Sequence, residues 1–426
     1  MRGQTMTNVF IFIFSQVAQL HKGGVKVAVR KCSEAALMLI TAPLVLIVVL
    51  LRPLVLLRFG VIDGTRIGNL TFIPEAYLCW REQVGLPRRT IDIVGYPQTT
   101  CNRQLQKMWE RTGWFWVNTN FCHVLARACK FWTGSNLHLV NMSAKHWRRC
   151  TIHSPHINFD TTEHMRGKTL LAELGVPSGA PWVCISNRDS GYLDRVLPPE
   201  SNAPNKTWRY HNFRNFEIGT LNNAAEAMTQ RGYYVLRMGT HVTEPLITGN
   251  SMIIDYANHR VQSDFADVYL PANCRFSISA DSGIMGVPSI FGKSFAIINH
   301  PSLLTQYVYY PWNSTPFLIK RFLSVRTNSF LPVREILQAG LGMIGATCEL
   351  EQAGVVLINN TAAEISDLSI EVDSRLCGTW DCDPQDELLQ QRLLKIIRLY
   401  SPQIIHGNLH ARLGASFLRT HQYLLD

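Results

Sequence analysis

Between Pro181 and Asn299 the chain alternates short apolar runs with stretches that carry helix signals. The apolar runs read WVCISN, YYVLRMG, SMIIDYA, RFSISA and SFAIIN. The intervening stretches include NFEIGTLNNAAEAMTQRG, which ends at Gly232, and SDFADVYLPAN, which begins at a capping Ser263 or Asp264. Because apolar runs that alternate with helices form βαβ units, this pattern predicts a parallel α/β sheet, and it restricts the fold more than any other feature of the sequence.

The earlier part of the chain repeats the pattern in a weaker form. The predicted strands LVLLRFGVI and TIDIVGYP precede the helical FIPEAYLCWRE and RQLQKMWERT, and FWVN and LHLVN are further predicted strands. Residues 151–177, rich in His, Asp, Thr and Gly, are predicted to connect the two series. We therefore predict an α/β fold with two Rossmann-like parallel-sheet domains. Its parts are an N-terminal segment at 1–53, an N-terminal domain with the connector at 54–177, and a C-terminal domain with C-terminal helices at 178–426.

The N-terminal segment contains an uncharged apolar stretch from Ala35 to Leu51. Its length is near the lower limit for crossing a hydrocarbon core about 30 Å thick. Pro43 interrupts the stretch, and the basic residues before it favour a cytoplasmic start under the positive-inside rule. We predict a helix, a break and a second helix that dip into the membrane and return, in preference to a full span. This would hold the protein at the cytoplasmic face of the inner membrane, with the membrane surface as a partner.

Composition narrows the range of partners and sites. The formal net charge is +10 and the pI about 9.1, which favours an anionic partner. Basic residues and tryptophans concentrate between Trp80 and Arg149, which suits a lipid headgroup layer, although these tryptophans could also be core residues. No nucleic-acid motif accompanies the charge, so no nucleic-acid partner is predicted. The 11 cysteines form no CxxC pair and no Cys/His set with zinc spacing, which predicts free thiols in a reducing compartment and no metal site.

Polar residues follow the predicted strands of the second series. They are Arg188-Asp189, Arg237-Met238-Gly239, Asp255-Tyr256 and Ala280-Asp281-Ser282-Gly283. Since the carboxyl ends of parallel strands meet at one edge of a sheet, we expect these groups to line one crevice. The Arg188 guanidinium can bind phosphate oxygens, and Ser282-Gly283 at the start of a predicted helix can offer backbone N–H groups to an anion. The pattern predicts a diphosphate site, although any one of these residues could simply end a strand.

Several of these runs together resemble a known family. NRDSGYL, FRNFEI, YVLRMG, IIDYA, SDFADVYLPANCRFSISADSG and VPSIFGKSFAIIN are similar to stretches of a group of bacterial glycosyltransferases with a two-domain, GT-B-like plan, found among surface-polysaccharide genes. The resemblance covers Leu54 to Val94 and Val183 to Asn299. The donor-binding half is also distantly similar to fucosyltransferase-like enzymes, through an Arg at the end of its first strand and a strand followed by a small Ser-containing turn.

The resemblance implies a hexosyltransferase-like enzyme that moves a sugar from a nucleotide-sugar donor to a lipid-linked or polysaccharide acceptor in cell-surface glycan synthesis. It implies an N-terminal acceptor domain, a C-terminal donor domain, no cofactor and no essential metal. Arg188 would contact the donor diphosphate. The other residues expected to bind substrate are Arg66, Gly68, Asp189, Tyr192, Arg214, Asn215, Arg237, Gly239, Asp255, Asp264, Ser282 and Gly283.

An inverting transfer needs a base that takes the hydroxyl proton of the acceptor. The family plan places this base in the N-terminal half, so we expect it in the first strand-turn-helix unit. That unit offers Asp63 in the turn and Glu75 on the helix within RIGNLTFIPEAYL, and we prefer Glu75. Asp63 could instead stabilise the turn, and Glu75 could favour the helix dipole. Asn69, where the family commonly has His, has no titratable group.

Two other functions fit the same sequence. One is a different transferase on the same scaffold, such as a pyruvyl transferase, since a fold does not fix the chemistry. The other is a membrane-attached scaffold that binds a nucleotide without catalysis. Asp381-Cys382-Asp383 has Asp-x-Asp spacing, but it precedes the helical DELLQQRLLKII and is predicted to start that helix.

Overall fold

The computed structural model describes residues 39–87, 89–96, 100–143, 155–196, 208–310, 313–403 and 410–426. They divide into two compact units, each built from separate parts of the chain. The first unit takes its described residues from 39–62, 85–96 and 113–142, and the second takes 63–84, 100–112 and the described residues from 143 onward. The sequential domains at 54–177 and 178–426 stay a prediction.

In the first unit, residues 39–51 form a helix, α1, that packs on the rest of the unit through Val45 and Val48. Its other side is apolar and exposed, with Leu39, Ile40, Leu44, Leu46, Ile47 and Leu50. The helix continues through Pro43, so the predicted break is wrong: proline removes one amide donor and leaves the other helical hydrogen bonds in place. Residues 35–38 of the predicted apolar stretch, and the basic residues before it, lie outside the described residues. None of the helices in the described ranges is both long enough and apolar enough to cross a membrane.

A three-stranded parallel sheet forms the centre of the first unit. Its strands lie in the order β1 Leu56–Val61, β2 Thr90–Tyr96 and β3 Phe115–Asn118. A helix at Thr119–Thr133, numbered α4 in chain order, packs on β1 and β2, and a Cβ at Gly95 would lie 2.8 Å from the Thr119 Cα. Gly95 therefore permits this close approach. The sheet also contains a buried ion pair, in which Arg58 Nη2 lies 2.8 Å from Asp92 Oδ1.

The second unit is organised around a five-stranded sheet in which every neighbouring pair is parallel. Its strands are β4 Trp182–Ser186, β5 Tyr234–Arg237, β6 Ile253–Ile254, β7 Phe276–Ser279 and β8 Ser294–Ile297. Their spatial order is β6-β5-β4-β7-β8, so the chain builds outward from β4 in one direction and then returns to build outward from β7 in the other. This is the order of a doubly wound sheet. The parallel α/β sheet predicted from the alternating pattern is confirmed.

The helices of the second unit begin at side-chain caps in several places. Asp160 and Glu163 form a capping box, Ser263 caps as predicted, and Asp383 accepts a hydrogen bond from the Gln385 N–H at the start of the predicted C-terminal helix. The helices are α2 Ile67–Val84, α3 Arg103–Glu110, α5 Thr161–Glu173, α6 Gly191–Val196, α7 Asn222–Gln230, α8 Asp264–Asn273, α9 Gly286–Ile290, α10 Leu303–Tyr309, α11 Val333–Gln338, α12 Thr347–Ala353, α13 Ala362–Leu376, α14 Pro384–Tyr400 and α15 Ala415–Thr420.

After β8 the chain returns to the sheet before it forms a small antiparallel sheet. The His300 N–H donates to the Leu318 carbonyl, and the Lys320 N–H donates to the His300 carbonyl, both at 2.9 Å. The antiparallel sheet follows in the order β10-β9-β11. Its strands are β9 Arg321–Ser324, β10 Ser329–Phe330 and β11 Val355–Ile358. The return brings Lys320 close to the end of the five-stranded sheet.

The structure corrects some local predictions. Leu139 makes an isolated bridge to Phe59, so LHLVN is not a strand. Helix α5 lies inside the predicted connector, because the capping box at Asp160 starts a helix that the His- and Gly-rich composition did not indicate. The helix predicted in NFEIGTLNNAAEAMTQRG begins as a 3₁₀ turn at Ile218–Leu221 and becomes α-helical at Asn222.

Candidate anion-binding site

Strands β4 and β7 are the neighbours at which the direction of chain building changes. Ser186 on β4 pairs with Ser279 on β7, and their hydroxyl oxygens lie 2.7 Å apart in a hydrogen bond. Because the strands that follow β4 and β7 lie on opposite sides, the loops after these two strands leave a crevice at the carboxyl edge of the sheet. Arg188 follows β4, and Asp281 follows β7.

Arg188 is partly buried and directs its guanidinium at the 3₁₀ helix Trp208–Arg214 and the residue after it. Its Nη1 donates to the His211 carbonyl at 3.1 Å and to Asn215 Oδ1. Burial, followed by the positive charge of Arg214, lowers the pKa of Arg188 to about 10. The structure therefore brings the predicted residues Arg188, Arg214 and Asn215 together.

Asp281 is the acidic group that faces these cations. Arg214 Nε lies 3.6 Å from Asp281 Oδ2. Burial acts to raise the pKa of Asp281, but the charges of Arg214, His300 and Arg188 outweigh burial and hold the pKa below its usual value. The sequence pattern places Asp281 in a strand-end loop but does not predict it as a binding residue. Its partner Arg214 comes from a different loop, so the sequence pattern around Asp281 could not indicate the pair.

Lys320 is a further cation that sequence reasoning missed. It is 2% exposed, and its Nζ donates to the Phe213 carbonyl at 2.8 Å and to the Asn215 carbonyl at 2.9 Å. Burial and then the charge of Arg188 lower the pKa of Lys320 to about 8. Lys320 reaches this place through the backbone pairing beside His300, which no local sequence pattern indicates.

Arg66, a predicted binding residue, lies in the same surroundings. Its guanidinium carbon is 5.5 Å from the centroid of the Trp208 ring. His211 lies in the 3₁₀ helix that begins at Trp208. The pKa of this imidazole is lowered to about 4, by burial first and then by Arg214, Arg188 and Arg66. We call the set Arg66, Arg188, Arg214 and Lys320 the cation cluster.

Polar atoms around the cation cluster are buried without a hydrogen-bond partner in the described part of the chain. They include Ser282 Oγ, His211 Nδ1 and Arg214 Nε. A buried polar group left without a partner costs about 1–3 kcal/mol. Together with the excess of positive charge, these atoms make surroundings that a bound anion would stabilise.

Other predicted residues are engaged in holding the loops around the crevice. Arg237 is completely buried, with Nη1 3.0 Å from Asp255 Oδ1 and Nη2 donating to the Glu244 carbonyl at 3.1 Å. Asp189 accepts the backbone N–H of Thr243 at 3.0 Å. These charged groups are paired within the protein, so their contacts position loops, and their contact with substrate stays a prediction.

Tyr192, Gly239 and Asp264 also have local roles. The Tyr192 ring stacks on His241 with the centroids 6.3 Å apart. Gly239 has a φ of 153°, which residues with a side chain rarely adopt. Asp264 Oδ2 accepts the backbone N–H of Arg103 at 2.8 Å, so it satisfies an amide at the start of α3. Substrate contacts of these residues stay a prediction as well.

Gly68 and Gly283 lie against each other, which places the start of α2 on the loop after β7. A Cβ on Gly283 would be 2.9 Å from Gly68 N, and a Cβ on Gly68 would be 3.1 Å from Gly283 Cα. Both predicted residues therefore permit two backbone segments to approach closely. The contact holds the first turn of α2 against the loop after β7, and the turn that contains Asp63 and Arg66 directly precedes it.

The helix predicted to start at Ser282-Gly283 differs from the expectation. Ser282 precedes a 3₁₀ turn at Gly283–Met285, and α9 has 5 residues. Elements this short have a small dipole, and Gly283 faces Gly68 rather than open space. The site therefore relies on cationic side chains and not on a helix N-terminus.

The two candidate bases have opposite surroundings. Asp63 is exposed, and its Oδ2 accepts from Asn69 Nδ2 at 2.6 Å. Partial burial acts to raise the pKa of Asp63, but hydrogen bonds from Thr65 and Asn69 lower it overall. Glu75 is 0% exposed, and burial raises its pKa although His156 Nδ1 lies 2.7 Å from its Oε1. In this structure Asp63 is open to an acceptor hydroxyl and Glu75 is not. Which of the two carboxyl groups acts as the base stays a prediction.

No family model matches the chain, and no curated protein matches it. Among solved structures, it is similar to the ADP-heptose lipopolysaccharide heptosyltransferase II of E. coli, with 14% identity over 58% of this chain and 86% of that chain at a TM-score of 0.33. A family 9 glycosyl transferase of Veillonella parvula gives 9% identity over 58% and 82% of the two chains at a TM-score of 0.37. The iron-containing heptosyltransferase TibC of E. coli gives 11% identity over 62% of each chain at a TM-score of 0.33. All three TM-scores lie below 0.5.

His300 is buried near Asp281 and Arg214, and its titration predicts how the stability of the protein depends on pH. Its Nδ1 accepts the Ser302 N–H at 3.0 Å. Burial lowers the pKa of His300 and the negative charge of Asp281 raises it, and the net result is a fall from 6.5 to about 4. Between these values the unfolded chain binds a proton that the folded chain does not, so the unfolding free energy should fall as the pH falls, by up to about 1.4 kcal/mol per pH unit.

His300→Asn is the matched variant, since Asn can still accept the Ser302 N–H and cannot titrate. We expect the stability of the wild type to fall relative to this variant as the pH is lowered from about 7 to about 4 in urea unfolding series. Parallel pH profiles for the two chains would show that His300 binds its proton equally in the folded and unfolded states.

Proposed function

We propose that this chain is a glycosyltransferase that takes a sugar from a nucleotide-sugar donor and transfers it to a lipid-linked or polysaccharide acceptor in cell-surface glycan synthesis. The observation that supports this most directly is the cation cluster at the carboxyl edge between β4 and β7. In doubly wound sheets, ligands bind in the crevice at this point of the topology, and phosphate groups are their common anionic part.

A diphosphate group fits the chemistry of the cation cluster. Arg188 and Arg214 repel each other, and an anion between them would relieve that repulsion. Guanidinium groups bind phosphate oxygens through paired hydrogen bonds. In the transfer step the bond from the sugar carbon to the phosphate oxygen breaks, and negative charge develops on the leaving diphosphate. Cations that are already in position stabilise that charge without reorganisation.

The same cations supply the positive charge that some transferases take from a metal ion. We therefore propose that transfer at this site needs neither an essential metal nor a cofactor. The sugar and the base of the nucleotide depend on pocket details away from the cluster.

Asp63 is the base in this proposal. It lies in the turn before α2, which Gly68 and Gly283 set against the loop after β7. Hydrogen bonds from Thr65 and Asn69 hold its carboxylate, whose lowered pKa keeps it ionised. It would accept the proton of the acceptor hydroxyl as the new glycosidic bond forms.

A lipid-linked acceptor calls for membrane contact, and the exposed face of α1 in the first unit suits it. In the same unit, α4 exposes Phe131 and Trp132 next to Lys130. Apolar and aromatic side chains beside basic ones favour the interface of an anionic bilayer. We propose peripheral attachment at the cytoplasmic face of the inner membrane.

Replacing Arg188 should weaken donor binding. A thermal-shift panel of GDP-, UDP-, CMP- and dTDP-sugars identifies the donor, because a bound ligand raises stability. In calorimetry, Arg188→Ala should then lower affinity about 10- to 150-fold, which corresponds to about 1.5–3 kcal/mol for hydrogen bonds to a charged group. Arg326→Ala, at an exposed position between β9 and β10, is the control and should bind normally. Unchanged affinity in Arg188→Ala would remove this residue from the site, and a panel without any shift would contradict the proposed function.

Replacing Asp63 should affect turnover and not donor binding. At saturating donor, Asp63→Asn should lose at least about 100-fold in the rate of nucleotide release with a membrane extract as acceptor source. Asp381→Asn, an exposed carboxylate before α14, is the control. An active Asp63→Asn together with an inactive Glu75→Gln would return the role of base to Glu75. Donor binding without nucleotide release in the wild type would favour the non-catalytic scaffold.

Charges placed on the exposed face of α1 should release the protein from membranes. Each large apolar side chain that enters the bilayer contributes about 1.5–3 kcal/mol, so the Leu46→Asp, Ile47→Asp double variant should bind anionic vesicles at least about tenfold more weakly in sedimentation. Ile247→Asp, at an exposed apolar position of the second unit, is the control. Equal vesicle binding by the double variant and the wild type would exclude α1 as the membrane contact.

A further inference from the structure

We propose that Glu75, Cys79 and His156 bind one divalent transition-metal ion, for which Zn²⁺ is the best fit. None of these three residues belongs to the cation cluster. It would join α2 to the segment that leads into α5. Carboxylate oxygen, thiolate sulfur and imidazole nitrogen are the ligands by which proteins hold Zn²⁺.

Helix α2 presents two of these ligands on one face. Glu75 and Cys79 are four residues apart, which is about one helical turn, so their side chains are neighbours. His156 comes from a distant part of the chain, and one ligand atom from each of the three residues lies within 4.8 Å of the others. Ligand atoms sit about 2.0–2.3 Å from a bound Zn²⁺, so small side-chain rotations would place all three on a common ion.

Glu75 has an unsatisfied atom at this place. The residue is 0% exposed, and while Oε1 lies 2.7 Å from His156 Nδ1, Oε2 has no hydrogen-bond partner within the described ranges. A carboxylate oxygen buried without a partner is costly, because it has lost its water and gained nothing in return. A bound cation would neutralise the carboxylate and remove that cost.

The surroundings of His156 match those of a metal-bound histidine. Its Nε2 lies 3.1 Å from Glu82 Oε1, on the turn of α2 that follows Cys79. Metal-bound histidines commonly donate the second ring N–H to a carboxylate, which fixes the tautomer and orients the ring. With Nε2–H directed at Glu82, the Nδ1 lone pair faces Glu75 and Cys79. In the metal-free protein, a proton shared by His156 Nδ1 and Glu75 Oε1 would account for their 2.7 Å distance. The metal ion would replace this proton.

The ligand set favours Zn²⁺ over Mg²⁺ or Ca²⁺. Those two ions prefer oxygen ligands throughout, whereas thiolate and imidazole select softer ions. Three protein ligands leave a fourth position, which water would fill. Cys79 is 7% exposed and the His156 side chain 18% exposed, so the ion would enter from the histidine side. Once bound, it would fix α2, whose first turn carries Gly68, and so support the turn that holds Asp63.

Cobalt uptake tests the site directly. After removal of metals with a chelator, the full chain should bind one equivalent of Co²⁺ as a spectroscopic substitute for Zn²⁺. A thiolate ligand to Co²⁺ gives a near-ultraviolet charge-transfer band, so the band reports on the cysteine itself. Addition of Zn²⁺ should abolish the band, since Zn²⁺ displaces Co²⁺ from such sites.

Conservative variants assign the ligands. Cys79→Ser should lose the band, and Glu82→Gln should weaken Co²⁺ binding about 10- to 100-fold, as loss of the carboxylate behind a metal-bound histidine typically does. Cys129→Ser, at another buried cysteine, is the matched control and should keep both the band and the affinity. Circular dichroism verifies that each variant is folded.

The proposal is overturned if the wild type binds no Co²⁺ at one equivalent. It is also overturned if the band survives in Cys79→Ser, which would assign the band to an exposed cysteine such as Cys348, Cys377 or Cys382. Should Cys79→Ser not fold, unchanged Co²⁺ affinity in Glu82→Gln overturns the proposal in its place. Nucleotide binding to the metal-free chain is measured separately by calorimetry, so a failure of the metal site and a failure of the proposed function are distinguishable.

Discussion

Positive charge held close together in a partly buried place is the feature on which the candidate site depends. Burial and mutual repulsion both lower the pKa values of Arg188 and Lys320 there. Asp281 offsets part of the charge, and Lys320 is held by two backbone carbonyls instead of a carboxylate. Such a cluster persists because the sheet edge fixes the loops that carry it, and its uncompensated charge gives the crevice a preference for anionic ligands.

The centre of this arrangement could be predicted from the sequence. WVCISN and RFSISA form β4 and β7, and the residues after them, Arg188 and Ser282, lie at the carboxyl edge as expected. The reason is physical: strands of a parallel sheet are short, apolar and closed by polar residues, and parallel pairing aligns their carboxyl ends whatever packs on the faces. Pattern alone therefore locates the edge of the sheet.

The rest depends on packing between distant parts of the chain. Lys320 arrives through backbone pairing beside His300, and Cys79 meets His156 only when α2 packs against the residues before α5. The burial of Glu75 likewise depends on which face of α2 is covered, which the weak apolar periodicity of that helix did not reveal. The helix expected after Ser282 is short, because it begins as a 3₁₀ turn at Gly283–Met285 and α9 ends at Ile290, two residues before Gly292, which has a φ of 65°.

Gly68 and Gly283 behave as one steric unit although they belong to different stretches of the chain. A methyl group at either position would force α2 and the loop after β7 to move apart by a similar small distance. Once the two segments have moved apart for the first substitution, the second costs less, so their effects on stability are not additive. Over evolutionary time the two positions should therefore covary, and a lineage that relaxes the pair would shift Asp63 and Arg66 away from the crevice in one step.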